Sequence, residues 1–143
     1  MLKIIIPGEP ISKARPRFFS KGKIKKVYSS QKYQESKIFL LVKNQINGHK
    51  KFTDAVFVRS CFYMPRPKGH YGTGRNSGKL KPSAPEHHIK KPDVDNIVKF
   101  YFDILNDLVW NDDSQVISEF SEKKYCNPGE EPRTEIKIME MGE

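Results

Sequence analysis

Apolar residues in the first part of the chain fall into short runs separated by turn formers. Residues 2–6 are rich in β-branched side chains and stop at Pro7-Gly8, which predicts a first strand. Arg17-Phe18-Phe19 and residues 24–28 flank Ser20-Lys21-Gly22-Lys23, the pattern of a hairpin with a glycine-containing turn. Ser29 or Ser30 can cap a helix that runs to about Asn47 and ends at Gly48. Its apolar positions Tyr33, Ile38, Leu41, Val42 and Ile46 fit a helical stripe better than alternation. Residues 55–63, dense in Val and Phe, predict a buried strand.

Periodicity then vanishes. Residues 65–92 hold five prolines, four glycines and many lysines. A structureless loop of that length in a compact domain is functional or disordered. The composition suits a DNA-contacting flap that orders on binding, and equally a floppy surface loop. Asp95 or Asn96 can cap a second helix reaching about Leu108, with Ile97, Val98, Tyr101, Phe102, Leu105, Leu108 and Val109 as its apolar face. Lys99, Asp103 and Asn106 share the opposite side, which leaves Asp103 as a solvated residue or a partner of Lys99. Asp107 reads as another solvated position on this helix. Residues 115–125 alternate weakly and residues 134–139 clearly, so both read as strands. The order β-β-β-α-β-loop-α-β-β predicts one α+β domain, a mixed sheet flanked by two main helices. There is no internal repeat and no sign of a second domain.

At 143 residues the chain can bury a core without metal or disulfide staples. Cys61 and Cys126 form no CxxC pair, and two thiols in a reducing cytoplasm is the simplest reading. No segment approaches the roughly 20 apolar residues of a membrane helix. The expectation is a soluble cytoplasmic protein without membrane contact. The net charge of +9 conceals a split: residues 1–92 carry 21 Lys/Arg against 4 Asp/Glu, whereas residues 93–143 carry 5 against 13. A polyanion gripped by basic residues fits the first part, because Lys/Arg neutralisation of phosphates supplies most non-specific nucleic-acid affinity.

Within this basic chain, carboxylates gather at Asp93, Asp95, Asp112 and Asp113. Asp93 and Asp95 are two apart ahead of a helix, so an extended backbone can turn both toward one ion. Asp112 and Asp113 lie on the turn into the next strand. Oxygen donors from two segments, with positions left for water and phosphate, are how Mg²⁺ or Mn²⁺ is held for phosphodiester hydrolysis. Lys99, four residues past Asp95, can orient a carboxylate or offset charge on the phosphate. Each acid also has a plain structural use, as helix cap or turn residue. An EF-hand fails, since its glycine and final glutamate positions hold Val98 and Ile104. His87-His88 are loop residues unsuited to zinc. A helix over residues 96–108 is about 20 Å long, and five further residues span at most about 17 Å. Asp113 therefore rejoins Asp93 and Asp95 only through a shorter or obliquely crossed helix, or else across a dimer interface.

Pro92-Asp93-Val94-Asp95-Asn96-Ile97-Val98-Lys99 resembles the (P)DxDNxxK signature of the RusA family of Holliday junction resolvases. Asp103-Ile104-Leu105-Asn106 and Trp110-Asn111-Asp112-Asp113-Ser114-Gln115-Val116 resemble its continuation. Gly8-Glu9-Pro10-Ile11-Ser12-Lys13-Ala14-Arg15-Pro16-Arg17 resembles its basic opening, and Tyr28 fits the tyrosine that follows. The resemblance implies a homodimer that nicks a four-way DNA junction symmetrically with Mg²⁺ or Mn²⁺. It implies Asp93, Asp95 and Asp113 as metal-binding acids with Asp112 beside them, and Lys99 as the catalytic lysine. Lys13, Arg15 and Arg17 would contact phosphate, and Lys90 and Lys91 are counted with them. The competing expectations are a non-catalytic DNA-binding protein, and a broader nuclease that also cuts flaps and forks.

Overall fold

The computed structural model describes the backbone of every residue except Pro16, Lys23, Ser29, Ser30 and Glu143, and all side chains outside 16–21, 23–30 and 143. The predicted caps Ser29 and Ser30 lie outside the described residues. The described elements are β1 (Leu2–Pro7), β2 (Arg17–Lys21), β3 (Ile24–Tyr28), α1 (Lys32–Gln45), β4 (Val56–Met64), α2 (Val94–Leu105), β5 (Val116–Tyr125) and β6 (Arg133–Glu140). Their order is the predicted one. Four strands form a mixed sheet, β1-β6-β4-β5, while β2 and β3 pair separately as the expected hairpin. The β4–β5 pair is parallel because the chain returns through α2; the other neighbours are antiparallel.

Alternation decides which face is covered. Val56, Val58, Phe62 and Met64 of β4 point into the core with Ile4, Ile6, Ile136 and Ile138 of the flanking strands. Ile38 and Val42 of α1 and five residues of α2 close over them. Each such side chain contributes about 1.5–3 kcal/mol on burial. The opposite face, with Phe57 and Arg59 of β4 exposed, has no described helix on it, so the strand expected to be buried is buried on one face only. The α2 stripe is Ile97, Phe100, Tyr101, Ile104 and Leu105. It includes two residues absent from the predicted face, Phe100 and Ile104, because the apolar arc is broad and its buried centre lies to one side of the predicted one, opposite Asp95, Lys99 and Asp103. Tyr33, assigned to the α1 stripe, is 81% exposed. At the β1 edge, the Gln45 side-chain amide accepts from Ile5 N at 2.9 Å and donates to Ile5 O, in the manner of a neighbouring strand.

Residues 65–92 are folded, contrary to the structureless loop expected. Turns at Lys68–His70 and Gly74–Asn76 are joined by hydrogen bonds from Gly72 N to Lys79 O (3.0 Å) and from Lys81 N to His70 O (2.9 Å). Arg66 pins the segment to the end of β5: its Nε donates to Cys126 O at 2.6 Å and its Nη1 to Pro85 O at 2.7 Å, with the guanidinium over the Tyr125 ring. His70 and His88 pack edge-on against the same ring. Lys123 Nζ donates to Lys90 O and Pro92 O, both at 2.7 Å, and so fixes the exit. Turn and side-chain contacts of this kind leave no periodic trace in a sequence. Cys61 and Cys126 are free thiols. No helix among the described residues is long and apolar enough to cross a membrane.

Candidate active site

The acidic motif opens α2. Asp93, not Asp95 or Asn96, is the N-cap residue, with extended backbone (φ −70°, ψ 142°) and no side-chain cap bond. Its carboxylate is therefore not consumed by the helix end, and its described partner is Lys91 Nζ, 3.0 Å from Oδ1. Asp95 lies exposed in the first turn. The unpaired amides of a helix start favour negative charge there, both these carboxylates and an approaching phosphate. Lys99 is exposed one turn further on, and among the described residues no carboxylate lies within ion-pair distance of it.

The second acidic pair is built around a short turn at Asp113–Gln115. Asp112 caps it: Oδ2 accepts from Ser114 N at 3.0 Å, and Gln115 Oε1 accepts from Asp112 N at 2.9 Å. The Ser114 bonds hold the Asp112 carboxyl below the usual range. Gln115 also donates to Phe52 O and Asp54 O at 3.0 Å, tying the turn to the chain ahead of β4. Asp113 differs. Its Oδ1 accepts from Trp110 Nε1 at 2.8 Å, and Trp110 is fully buried, so the carboxylate is held by a fixed donor. Burial pushes the Asp113 pKa up, the Trp110 bond opposes this, and the nearby Asp103 and Asp112 carboxylates raise it further.

Asp103 marks a correction. Its partner is Lys13, at 2.9 Å, not Lys99. Lys13 also meets Glu35 at 3.4 Å, and its pKa is raised chiefly by the Asp103 bond. The backbone here is clamped as well: Lys13 N donates to Asn96 O at 2.9 Å, and Gln31 bridges Ser12 O and Ala14 N at 2.7 Å each. Of the basic opening, Lys13 thus faces carboxylates, Arg15 is exposed, and the Arg17 side chain lies outside the described residues. Asp107 sits beyond the helix end at φ 63° and pairs with Lys51 at 2.8 Å, so it is not a helix-face residue.

The acids form two groups. The twelve residues of α2 make it about 18 Å long. Asp93 and Asp95 stand at its start, whereas Asp103, near its end, is close enough to act on Asp113. Among the described residues no three His, Cys, Asp or Glu side chains come together to hold a metal ion. The donors are nevertheless all carboxylate oxygens, the chemistry that suits Mg²⁺ or Mn²⁺. A cleft of about 820 Å³ lies elsewhere, lined by Pro7, Ile11, Tyr33, Ile38, Leu41 and Tyr101, and it contains none of these acids. Sequence reasoning missed Trp110, Gln31 and Lys123 as positioning residues. Trp110 alone had a local signal, as the sole tryptophan three residues before Asp113.

The sequence model of the RusA endodeoxyribonuclease family matches residues 7–139. The chain belongs to the RusA family. It is also 34% identical over 144 residues to the uncharacterized protein YqaN of Bacillus subtilis (strain 168), covering 98% of this chain and 96% of that protein. Endodeoxyribonuclease is accordingly its activity class. The RusA match spans both acidic groups and the folded 65–92 segment, so that segment is part of the RusA domain and not an appendage to it.

Proposed function

We propose that this protein is a divalent-cation-dependent endonuclease that resolves four-way DNA junctions by paired nicks in recombination and repair, working as a homodimer. The observation that carries the reading is the uncapped, exposed Asp93–Asp95 pair at the positive end of α2, in a basic chain of an endodeoxyribonuclease family. Asp93, Asp95 and Asp113 would hold Mg²⁺ or Mn²⁺, with Asp112 shaping the turn that presents Asp113. Such an ion lowers the pKa of a bound water and offsets charge on the phosphate. Asp93, whose described partner is Lys91, would turn its carboxylate to the cation. Lys99, with no competing carboxylate among the described residues, stabilises charge at the reacting phosphate. Water adds to phosphorus, the bond to the 3′ oxygen breaks, and a proton passes to that oxygen, leaving a 5′ phosphate and a 3′ hydroxyl.

The separation of the two acidic groups supports a shared site. A second copy related by a two-fold axis can bring its Asp113 toward Asp93 and Asp95, and two such sites match two symmetric cuts. The β5 edge offers a place to meet: Ile117 and Phe120 are 57% and 56% exposed, and the described pairing on that edge is confined to Lys124 and Tyr125. The same separation favours the second reading, a DNA-binding protein that does not cut, for which the acids would be dispensable.

The test offers a synthetic four-way junction, a matched linear duplex and a flap, each with Mg²⁺, Mn²⁺ or EDTA. Junction cleavage with either ion and none in EDTA is expected. Cutting in EDTA would overturn the metal mechanism, and equal cutting of linear duplex would overturn junction selectivity. Asp93→Asn and Asp95→Asn should abolish cleavage while junction binding persists.

A further inference from the structure

Residues 65–92 contain seven Lys/Arg and one acid, Glu86. Arg66 and Lys91 have protein partners, as described above. Lys68, Arg75, Lys79 and Lys81 are exposed, and among the described residues none of the four meets a carboxylate. Four unneutralised cations on a short stretch would repel one another, yet they are held on a folded platform. Gly74 takes φ 61°, and a Cβ at Gly72 would lie 2.7 Å from the Asn76 Cβ, so the two turns close only with glycine at these positions. Both ends are fastened to the end of β5, by Arg66 on entry and by Lys123 on exit, immediately before Asp93.

We propose that residues 68–81 form a pre-folded arm that grips the phosphate backbone of a duplex limb beside the cleaved position, with Arg66 as its positioning residue. The inference rests on the endonuclease reading for the kind of DNA bound, and on the arm's own charge for the contact. Phosphate is the fitting partner because residues 68–81 offer cations and no exposed large apolar side chain to seat a lipid surface or a protein core: Tyr71 and Leu80 are both half-buried, and the exposed Ile89 lies outside the arm. Backbone contacts carry no sequence information, so the arm adds affinity equally to junctions of any sequence. Because it is folded beforehand, the ordering cost falls outside the binding step. Arg66 acts through the arm, since its Nε and Nη1 are turned to Cys126 O and Pro85 O.

The test measures binding of a labelled four-way junction in EDTA across a salt series, so it does not depend on cleavage. The variant Lys68→Gln, Arg75→Gln, Lys79→Gln and Lys81→Gln combined should bind at least ~10-fold more weakly at low salt. Its slope of log K against log salt should be shallower by about 2 to 3.6, at about 0.9 per lost phosphate contact. A control neutralising Lys3, Lys43, Lys50 and Lys137 should keep most of the wild-type slope. A wild-type slope in the arm variant, or an equal loss in the control, would overturn the proposal. Arg66→Ala should lose hydrogen-exchange protection at the Gly72 and Lys81 amides and weaken binding with the same shallower slope. Retained protection, or wild-type binding despite lost protection, would overturn the role of Arg66. If the wild type binds through the arm yet cuts nothing, the nuclease reading fails and the arm stands; if it cuts with an unchanged slope in the arm variant, the reverse holds.

Discussion

The Trp110–Asp113 contact lends itself to a quantitative test. Trp110→Phe keeps most of the ring packing against Phe102, whose centroid is 5.5 Å away, and removes the 2.8 Å bond to Asp113. A hydrogen bond to a charged group is worth about 1.5–3 kcal/mol; because Asp113 is half-buried and water can partly replace the donor, the lower end applies. Loss of indole volume at a fully buried position adds about 1–2 kcal/mol. The sum, about 3 kcal/mol, lowers Tm by about 6–12 °C for a chain of this size. The cavity part is separated by a double-mutant cycle with Asp113→Ala, read by urea unfolding. The expected coupling is about 1.5 kcal/mol at neutral pH, falling by about half where Asp113 is protonated, since a bond to a neutral acceptor is about half as strong. The direction with pH follows from the raised Asp113 pKa: the folded state binds this proton more tightly than the unfolded one. Stability therefore falls as pH rises from the ordinary carboxylate range through the folded pKa. Trp110→Phe raises that pKa again and carries the fall to higher pH. A coupling below about 0.3 kcal/mol, or one unchanged by pH, would refute the reasoning.

Asp103→Asn removes a charge that pushes the Asp113 pKa up, so the acid limb of the cleavage-rate profile should move to lower pH; a shift upward contradicts the assignment. Gln31→Ala frees Ser12 O and Ala14 N and should cost about 1–3 kcal/mol in urea unfolding. An unchanged midpoint would mean that the opening segment is held by other contacts. Ser60 is 1% exposed and its Oγ has no hydrogen-bond partner among the described residues, so Ser60→Ala should leave stability unchanged or raise it by up to about 1 kcal/mol. A loss above about 1 kcal/mol in thermal unfolding would show that the hydroxyl is satisfied.

Element type and order were legible because strand and helix are written in local spacing. The centre of the α2 stripe was not, since its apolar arc is wider than the buried strip and tertiary packing decides which part of the arc is covered. The helix start was one of several cap-competent residues in a row, and the extended geometry of Asp93 between Pro92 and Val94 settled it. The acids were visible as a motif, but their grouping was not. Asp103 finds Lys13 from the other end of the chain, and no local pattern encodes a partner 90 residues away. The folding of 65–92 was hidden for a related reason: its anchor, Arg66, bonds to the backbone of Cys126, 60 residues on.

The Gln45 amide at the β1 edge bears on the arithmetic of assembly. A sheet with two open edges can add copies at both and grow into a filament, whereas one with a single open edge is terminated by its first partner. Gln45 occupies the Ile5 backbone groups at the β1 edge, and Pro7 has no donor to offer there, so β5 is the more open edge of the four-stranded sheet. In the homodimer proposed above, two chains joined at β5 would leave only the β1 edges of their four-stranded sheets. For that proposed dimer, one side chain at the end of a helix would hold the count at two, and Gln45→Ala would open the β1 edge to further copies.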